Sequence, residues 1–258
     1  MQGLKLAARL MASGLDSDPP LSTSDFMETQ KTSKNGEDGS VGITEESLIR
    51  KFTDQPDFPY LVSFPRTGSH WLRMLMELYF EKPSLVRSFY YKESRDFTCY
   101  HWHDEDLKLR RRNVLYLYRN PVPTIYSQLM YYREDPDDVA RIQYWSGLYA
   151  QHLQKWLITD NFTTRKTVLA YEGLQKDLAA EFQKVCRHLD QVFDARKLEL
   201  AAAQVTKENL KKKTRHDSQV VNLSNSYAAQ RERFEQRHTC LVMDNVLSRN
   251  AGLQSVFP

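Results

Sequence analysis

The chain has 258 residues, 41% hydrophobic and 12% aromatic, enough to bury a sizeable core and too apolar for a disordered protein. A net charge of +3 and a pI near 8.6 are too weakly basic for general nucleic-acid binding, but they are compatible with a local cationic pocket. Cys99, Cys186 and Cys240 are an odd set with no C-x-x-C spacing, pointing to neither a disulfide framework nor a zinc site but to free thiols in a reducing, cytoplasmic compartment.

No run of about 18 apolar residues exists, so no membrane span is expected and the chain should be soluble. The opening "MQGLKLAARLMASGL" lacks the continuous apolar segment and cleavage pattern of a secretory signal, which leaves an organelle-targeting segment as a weaker alternative. From Asp16 to Gly42 small polar residues dominate, and they cannot bury enough surface to offset ordering entropy. We therefore expect residues 1–43 to be a disordered tail and residues 44–258 a single domain. Order should begin at Thr44, an N-cap followed by Glu45 and Glu46, with a helix running to about Phe52.

"YLVSF" between Pro59 and Pro65 reads as a buried parallel strand. The helix that follows carries Leu72, Leu75, Met76 and Tyr79 at i, i+3, i+4 and i+7. "DFTCYHW" and "NVLYLY" are the next strands. A long helix from about Asp138 to Leu157 is striped by Trp145, Leu148, Tyr149, His152 and Trp156. "KTVLAY" is the fourth strand, followed by a helix from Asp177 to Leu189. The stretch "ENLKKKTRHDSQ" reads as a basic loop before a final helix near "SYAAQRERFEQRHTCLVMDNV". Strands alternating with helices predict βαβ units and a parallel sheet covered on both faces.

Two stretches carry chemistry. Arg66-Thr67-Gly68-Ser69-His70 joins a strand to a helix, where free backbone N–H groups and the positive helix end suit a phosphate or sulfate. It is not a nucleotide-triphosphate P-loop, because G-x-x-x-x-G-K-[ST] is absent. Arg119 ends the "NVLYLY" strand, and Ser127 lies about two turns into the next helix, within reach of the same anion if the chain doubles back. Taken alone, the first also fits an ordinary βα turn and the second a surface ion pair.

Together, Pro65-Arg66-Thr67-Gly68-Ser69-His70-Trp71 and Arg119-Asn120-Pro121 with Ser127 resemble the sulfotransferases that use 3′-phosphoadenosine 5′-phosphosulfate (PAPS). The resemblance covers about Phe58 to Leu189. It implies an α/β, P-loop NTPase-like three-layer fold with a central parallel sheet of four to five strands flanked by helices. It also implies that Arg66, Thr67, Gly68, Ser69 and His70 hold the phosphosulfate, Trp71 and Tyr171 contact adenine, and Arg119 and Ser127 read the 3′-phosphate. Gly173 replaces the family's usual acid after Tyr171. Arg66 stands where many members have a lysine, as in "PRSG"-type members that modify carbohydrates or tyrosyl proteins, and its fixed charge suits stabilisation of the leaving phosphate. The late "RKGxxGxW" element is missing. The cluster Lys211, Lys212, Lys213, Arg215 and His216 can supply its 3′-phosphate contact, with Lys213 and Arg215 as the assigned residues, or can be a solvated charged loop.

Sulfuryl transfer needs a base for the acceptor proton. His103 or His101 in "CYHWHDED" fills that role by resemblance, with His103 favoured and Asp104 or Glu105 as orienting groups. No Asp/Glu cluster has metal-ligand spacing, so no metal is required and the phosphosulfate charge falls to Arg66, backbone N–H groups and Arg119. The resulting expectation is a sulfotransferase of EC 2.8.2 type, PAPS in and 3′,5′-adenosine bisphosphate (PAP) out. Its acceptor would be a small polar molecule, a sugar or natural-product metabolite, approached between walls 82–95 and 133–141. The rivals are a nucleotide kinase or NTPase with a degenerate P-loop, and an inactive adenosine-bisphosphate-binding protein.

Overall fold

The structure, a computed structural model, describes residues 41–42, 45–91, 94–214, 225–249 and 251–257. In chain order these form β1 (Val41–Gly42), α1 (Glu46–Thr53), β2 (Tyr60–Ser63), α2 (Ser69–Phe80), β3 (Arg87–Ser88), β4 (Tyr100–Trp102) and β5 (Asn113–Tyr118). Next come α3 (Pro121–Tyr132), α4 (Val139–Leu153), a π-helical continuation (Gln154–Thr159) and β6 (Arg165–Ala170). The chain ends with α5 (Tyr171–Lys176), α6 (Leu178–His188), α7 (Ala195–Gln204), α8 (Lys207–Lys213), α9 (Asn225–Leu247) and a 3-10 turn (Ala251–Ser255).

β4, β2, β5 and β6 line up in that order as one parallel sheet. Side-chain alternation divides its residues between two layers. Leu61, Leu115, Leu117 and Leu169 pack with Leu72, Met76, Phe182, Val185 and Leu198 from α2, α6 and α7. Tyr60, Val62, Val114 and Tyr116 point the other way, against Phe58, Phe97 and Trp156. A further cluster binds α3, α4 and α9 through Ile125, Leu129, Trp145, Tyr149 and Val246. Both faces of the sheet are thus buried, which is why its strands read as continuous apolar runs.

Several boundaries differ from the sequence reading. Glu45 rather than Thr44 is the cap position of α1, and Thr44 lies outside the described residues. Val41–Gly42 pairs antiparallel with Arg87–Ser88, a two-residue ladder with too little pattern to detect. β4 is confined to Tyr100–Trp102, the part of "DFTCYHW" that lies beside β2. The helix after Asp138, whose carboxylate accepts from Ala140 and Arg141 N–H, widens into a π-helix at Gln154. Lys207–Lys213 is helical rather than a loop: Thr206 caps it, and Lys211, Lys212 and Lys213 sit in the last turn, where cations meet the negative helix end. Arg215 and His216 lie outside the described residues, as does the chain before Val41. No helix among the described residues is long and apolar enough to cross a membrane.

β2 lies inside the sheet with β4 on one side and β5 on the other, so the chain leaves it in opposite directions. This reversal of strand order places the crevice in which open α/β sheets bind ligands outside the carboxyl ends of β2 and β5.

Candidate active site

The crevice is built first from the turn after β2. Thr67 is buried and its hydroxyl donates to Phe64 O at 2.8 Å, closing the turn. Arg66 and Gly68 both take left-handed backbone, φ 68° and 97°. At Gly68 the reason is also steric, since a Cβ there would lie 2.5 Å from Cδ2 of Tyr171. Ser69 and His70 then open α2, so the first-turn N–H groups face the crevice mouth.

The turn after β5 meets this loop. Arg66 Nε donates to Ser127 Oγ at 3.2 Å, and the guanidinium lies over the Tyr131 ring at 4.9 Å. Arg119 Nη1 donates to Arg66 O at 3.2 Å and its guanidinium covers Tyr171 at 4.5 Å. The Arg119 backbone is fixed from both sides: its N–H donates to Tyr149 Oη at 3.0 Å, and that hydroxyl donates to Arg119 O at 2.7 Å. Asn120 caps α3 through Val122 N–H, and its own N–H donates to Glu172. Trp71 meets Tyr171 edge-on at 5.8 Å.

Arg66, Gly68, Trp71, Arg119, Ser127 and Tyr171 are therefore one constellation drawn from two turns and the helices α2, α3 and α5. Tyr171 is the first residue of α5 and not the end of a strand. At Gly173 an added Cβ would come 3.0 Å from the Glu181 carboxylate, which accepts from Ala170 N–H at 2.8 Å, so a neighbouring acid occupies the space beside this glycine. Lys213 sits over the Tyr90 ring at 4.7 Å, on a different neighbour from Arg119 and Ser127. Glu172 and Glu181 carry no functional signal in the sequence; Tyr149 stands there only in the apolar stripe of α4, and Tyr131 is marked by its i+4 spacing from Ser127.

The carboxyl end of β4 supplies two histidines. Their rings meet edge-on at 4.5 Å, as expected for i and i+2 positions on one strand side. His103 Nδ1 donates to Ser63 O at 2.8 Å, because a carbonyl can only accept; His101 Nε2 lies 3.0 Å from Ser63 Oγ. Burial pushes the His103 ring down to about 4, opposed by its bond to Ser63 and helped by the Arg66 and Arg73 charges. Burial also holds His101 well below the usual range, with His103 and Arg73 adding to it, and His70 likewise, with Arg87, Arg73 and Arg66. These rings are neutral at pH 7.

Asp104, read as an orienting group, faces away from the imidazole. Its Oδ2 accepts from Lys155 Nζ at 2.6 Å and Trp156 Nε1 at 3.0 Å, and its Oδ1 from Leu109 N–H at 2.7 Å. Among the described residues no three His, Cys, Asp or Glu side chains converge as metal ligands would.

The fit to a bisphosphorylated adenosine rests on features of this crevice. Arg119 Nε is buried with no hydrogen-bond partner among the described residues, and two guanidinium groups, the Ser127 hydroxyl and the α2 N-terminus converge where β2 and β5 end.

The sulfotransferase-domain family model matches residues 90–242, more than half of the chain. Sulfotransferase 2A2 of Rattus norvegicus is 25% identical over 207 residues, covering 64% of this chain and 71% of the relative. Sulfotransferase 2A1 of the same organism is 24% identical over 216 residues, covering 66% and 75%. Similar solved structures include mouse sulfotransferase SULT7A1 complexed with PAP, with 14% identity, TM-score 0.45 and coverage of 79% of this chain and 93% of that one. Another is retinol dehydratase in complex with androsterone and inactive cofactor PAP, with 13% identity, TM-score 0.46 and coverage of 73% and 82%.

Proposed function

Because the chain belongs to the sulfotransferase-domain family, we propose that it is a PAPS-dependent sulfotransferase acting on a hydroxyl or amine of a small polar acceptor. The observation that carries this reading is the contact of Arg66 with Ser127 and of Arg119 with the Arg66 carbonyl, which draws the two phosphate-binding stretches into one crevice. Arg119 and Ser127 hold the 3′-phosphate. Arg66, Thr67, Gly68, Ser69 and His70 hold the 5′-end, and Trp71 and Tyr171 flank the adenine.

Bound PAPS supplies the sulfuryl group, and PAP is the product. Arg66 keeps its charge at every working pH and stabilises the negative charge that grows on the leaving phosphate. His103 is the base. With Nδ1 carrying the hydrogen bonded to Ser63 O, the lone pair of a neutral ring is on Nε2, the nitrogen assigned to take the acceptor proton. His101, whose Nε2 lies 3.0 Å from the Ser63 hydroxyl, is the second candidate. The polar residues of the 82–95 and 133–141 walls favour a sugar or natural-product metabolite as acceptor. Two buried thiols and one exposed thiol suit a reducing, cytoplasmic setting.

The test is PAP release from PAPS across a panel of sugars, amino alcohols and phenols, with wild type and His103→Ala. The account predicts turnover with at least one acceptor, lost by a factor of about 100 or more in the variant, while PAP binding persists. PAP binding without turnover over the whole panel would instead establish a binding protein, and Mg²⁺-dependent preference for ATP a nucleotide kinase.

A further inference from the structure

We propose that His152 is a positioning residue that sets His103 as a base, acting through the His103 backbone carbonyl; this rests on the reading of His103 given above. His152 belongs to α4, is 1% exposed, and packs against Phe64 and Tyr116 at 5.6 and 5.5 Å. Its Nε2 lies 2.7 Å from His103 O and its Nδ1 3.0 Å from the Tyr116 hydroxyl.

These contacts fix every proton in the relay. A carbonyl only accepts, so His152 Nε2 carries a hydrogen. Burial, together with the nearby His103 and Lys155, pushes the His152 ring down to about 3, so it is neutral; Nδ1 is then the acceptor and Tyr116 donates to it. The same logic at the far end places the His103 hydrogen on Nδ1, facing Ser63 O.

The relay is Tyr116 to His152 to the His103 carbonyl, and from the His103 ring to Ser63. It clamps one residue by its backbone on one side and by its ring on the other. The clamp holds the near side of a tight turn: the next residue, Asp104, has left-handed backbone at φ 51°, and its carboxylate bonds to Leu109, Lys155 and Trp156 anchor the far side. Removing the His152 bond lets this turn relax and frees the His103 ring to exchange tautomers, which moves the lone pair to the wrong nitrogen.

Three variants test it: His152→Phe, which keeps the volume without the donor; His152→Gln, which puts an amide N–H where Nε2 stands; and Tyr116→Phe. Long-range ¹H–¹⁵N spectra of histidine-labelled protein read the tautomers without any acceptor, alongside PAP affinity and turnover. We expect His103 to be the Nδ1–H form in wild type and His152→Gln and a tautomer mixture in His152→Phe. Turnover should fall about 10-fold or more in His152→Phe, with the KM for PAPS and PAP affinity unchanged. Tyr116→Phe should shift the His152 Nδ1 resonance through loss of its donor while the hydrogen stays on Nε2, and this reads out even if His152→Phe does not fold. An unmixed His103 in His152→Phe, equal losses in the Phe and Gln variants, or an unchanged His152 in Tyr116→Phe would overturn the proposal. Wild-type turnover in His103→Ala would instead overturn the base assignment on which it stands.

Discussion

At the scale of the residue, the decisive side chains are cations with more than one partner. Arg119 donates to a backbone carbonyl, covers Tyr171 and keeps its Nε in reserve. Charge-assisted hydrogen bonds contribute about 1.5 to 3 kcal/mol each, so Arg119→Ala should weaken PAP about 10- to 100-fold by calorimetric titration. Gly68 is equally constrained. Its φ of 97° and the 2.5 Å approach of a Cβ to Tyr171 mean that Gly68→Ala must displace the ring, with loss of PAP binding and a melting point below wild type. Calorimetry showing wild-type affinity in that variant would contradict the packing described here. In the sequence, Arg66 and Arg119 stand just after apolar strands and Ser127 about two turns into the helix that follows Arg119, whereas Tyr171 rests on the family resemblance alone. Tyr149 and His152 were legible only as parts of an apolar stripe, because their hydrogen-bond partners are about 30 to 49 positions away and no local pattern encodes them.

At the scale of the element, two buried carboxylates shape the walls of the crevice. Glu77 on α2 accepts from Ser84 N–H, the Ser88 hydroxyl, Phe89 N–H and Tyr90 N–H, holding the β3 segment against the helix. Glu77→Leu should strip four donors of their acceptor and cost on the order of 3 kcal/mol or more in denaturant unfolding. Asp104 ties the turn after β4 to the π-helix through Lys155 and Trp156. The Asp104 side chain is 0% exposed and that of Lys155 18%, so removing one partner alone leaves a buried charge, and Lys155→Met should destabilise by about 3 to 5 kcal/mol. A loss under 1 kcal/mol in that variant would mean the pair is screened. Neither carboxylate could be read from sequence: the 3.6-residue period that revealed α2 also made Glu77 look like a solvent-facing position, and the π-helix has no compositional mark.

At the scale of the whole molecule, the βα alternation predicted the parallel sheet, and the strand order supplied what alternation cannot, the β2/β5 crevice where the chain reverses. The buried rings add a pH dependence. His103 and His188 are held near 4 and His152 near 3, chiefly by burial, against an unfolded value of about 6.5. Below pH 6.5 the unfolded chain therefore binds more protons than the folded one, so stability present above that pH is lost progressively as pH falls toward 4. The melting temperature should drop between pH 7 and pH 5, and a flat profile would contradict the burial of these rings. For the central claim, a crevice that reads an adenosine phosphorylated at both ends, the most direct measurement is calorimetric titration of wild type and Arg119→Ala with PAP, ADP and AMP. The account predicts that wild type prefers PAP over both other nucleotides and that Arg119→Ala erases this preference. Equal affinity of wild type for PAP and ADP, or a preference that survives in Arg119→Ala, would contradict it.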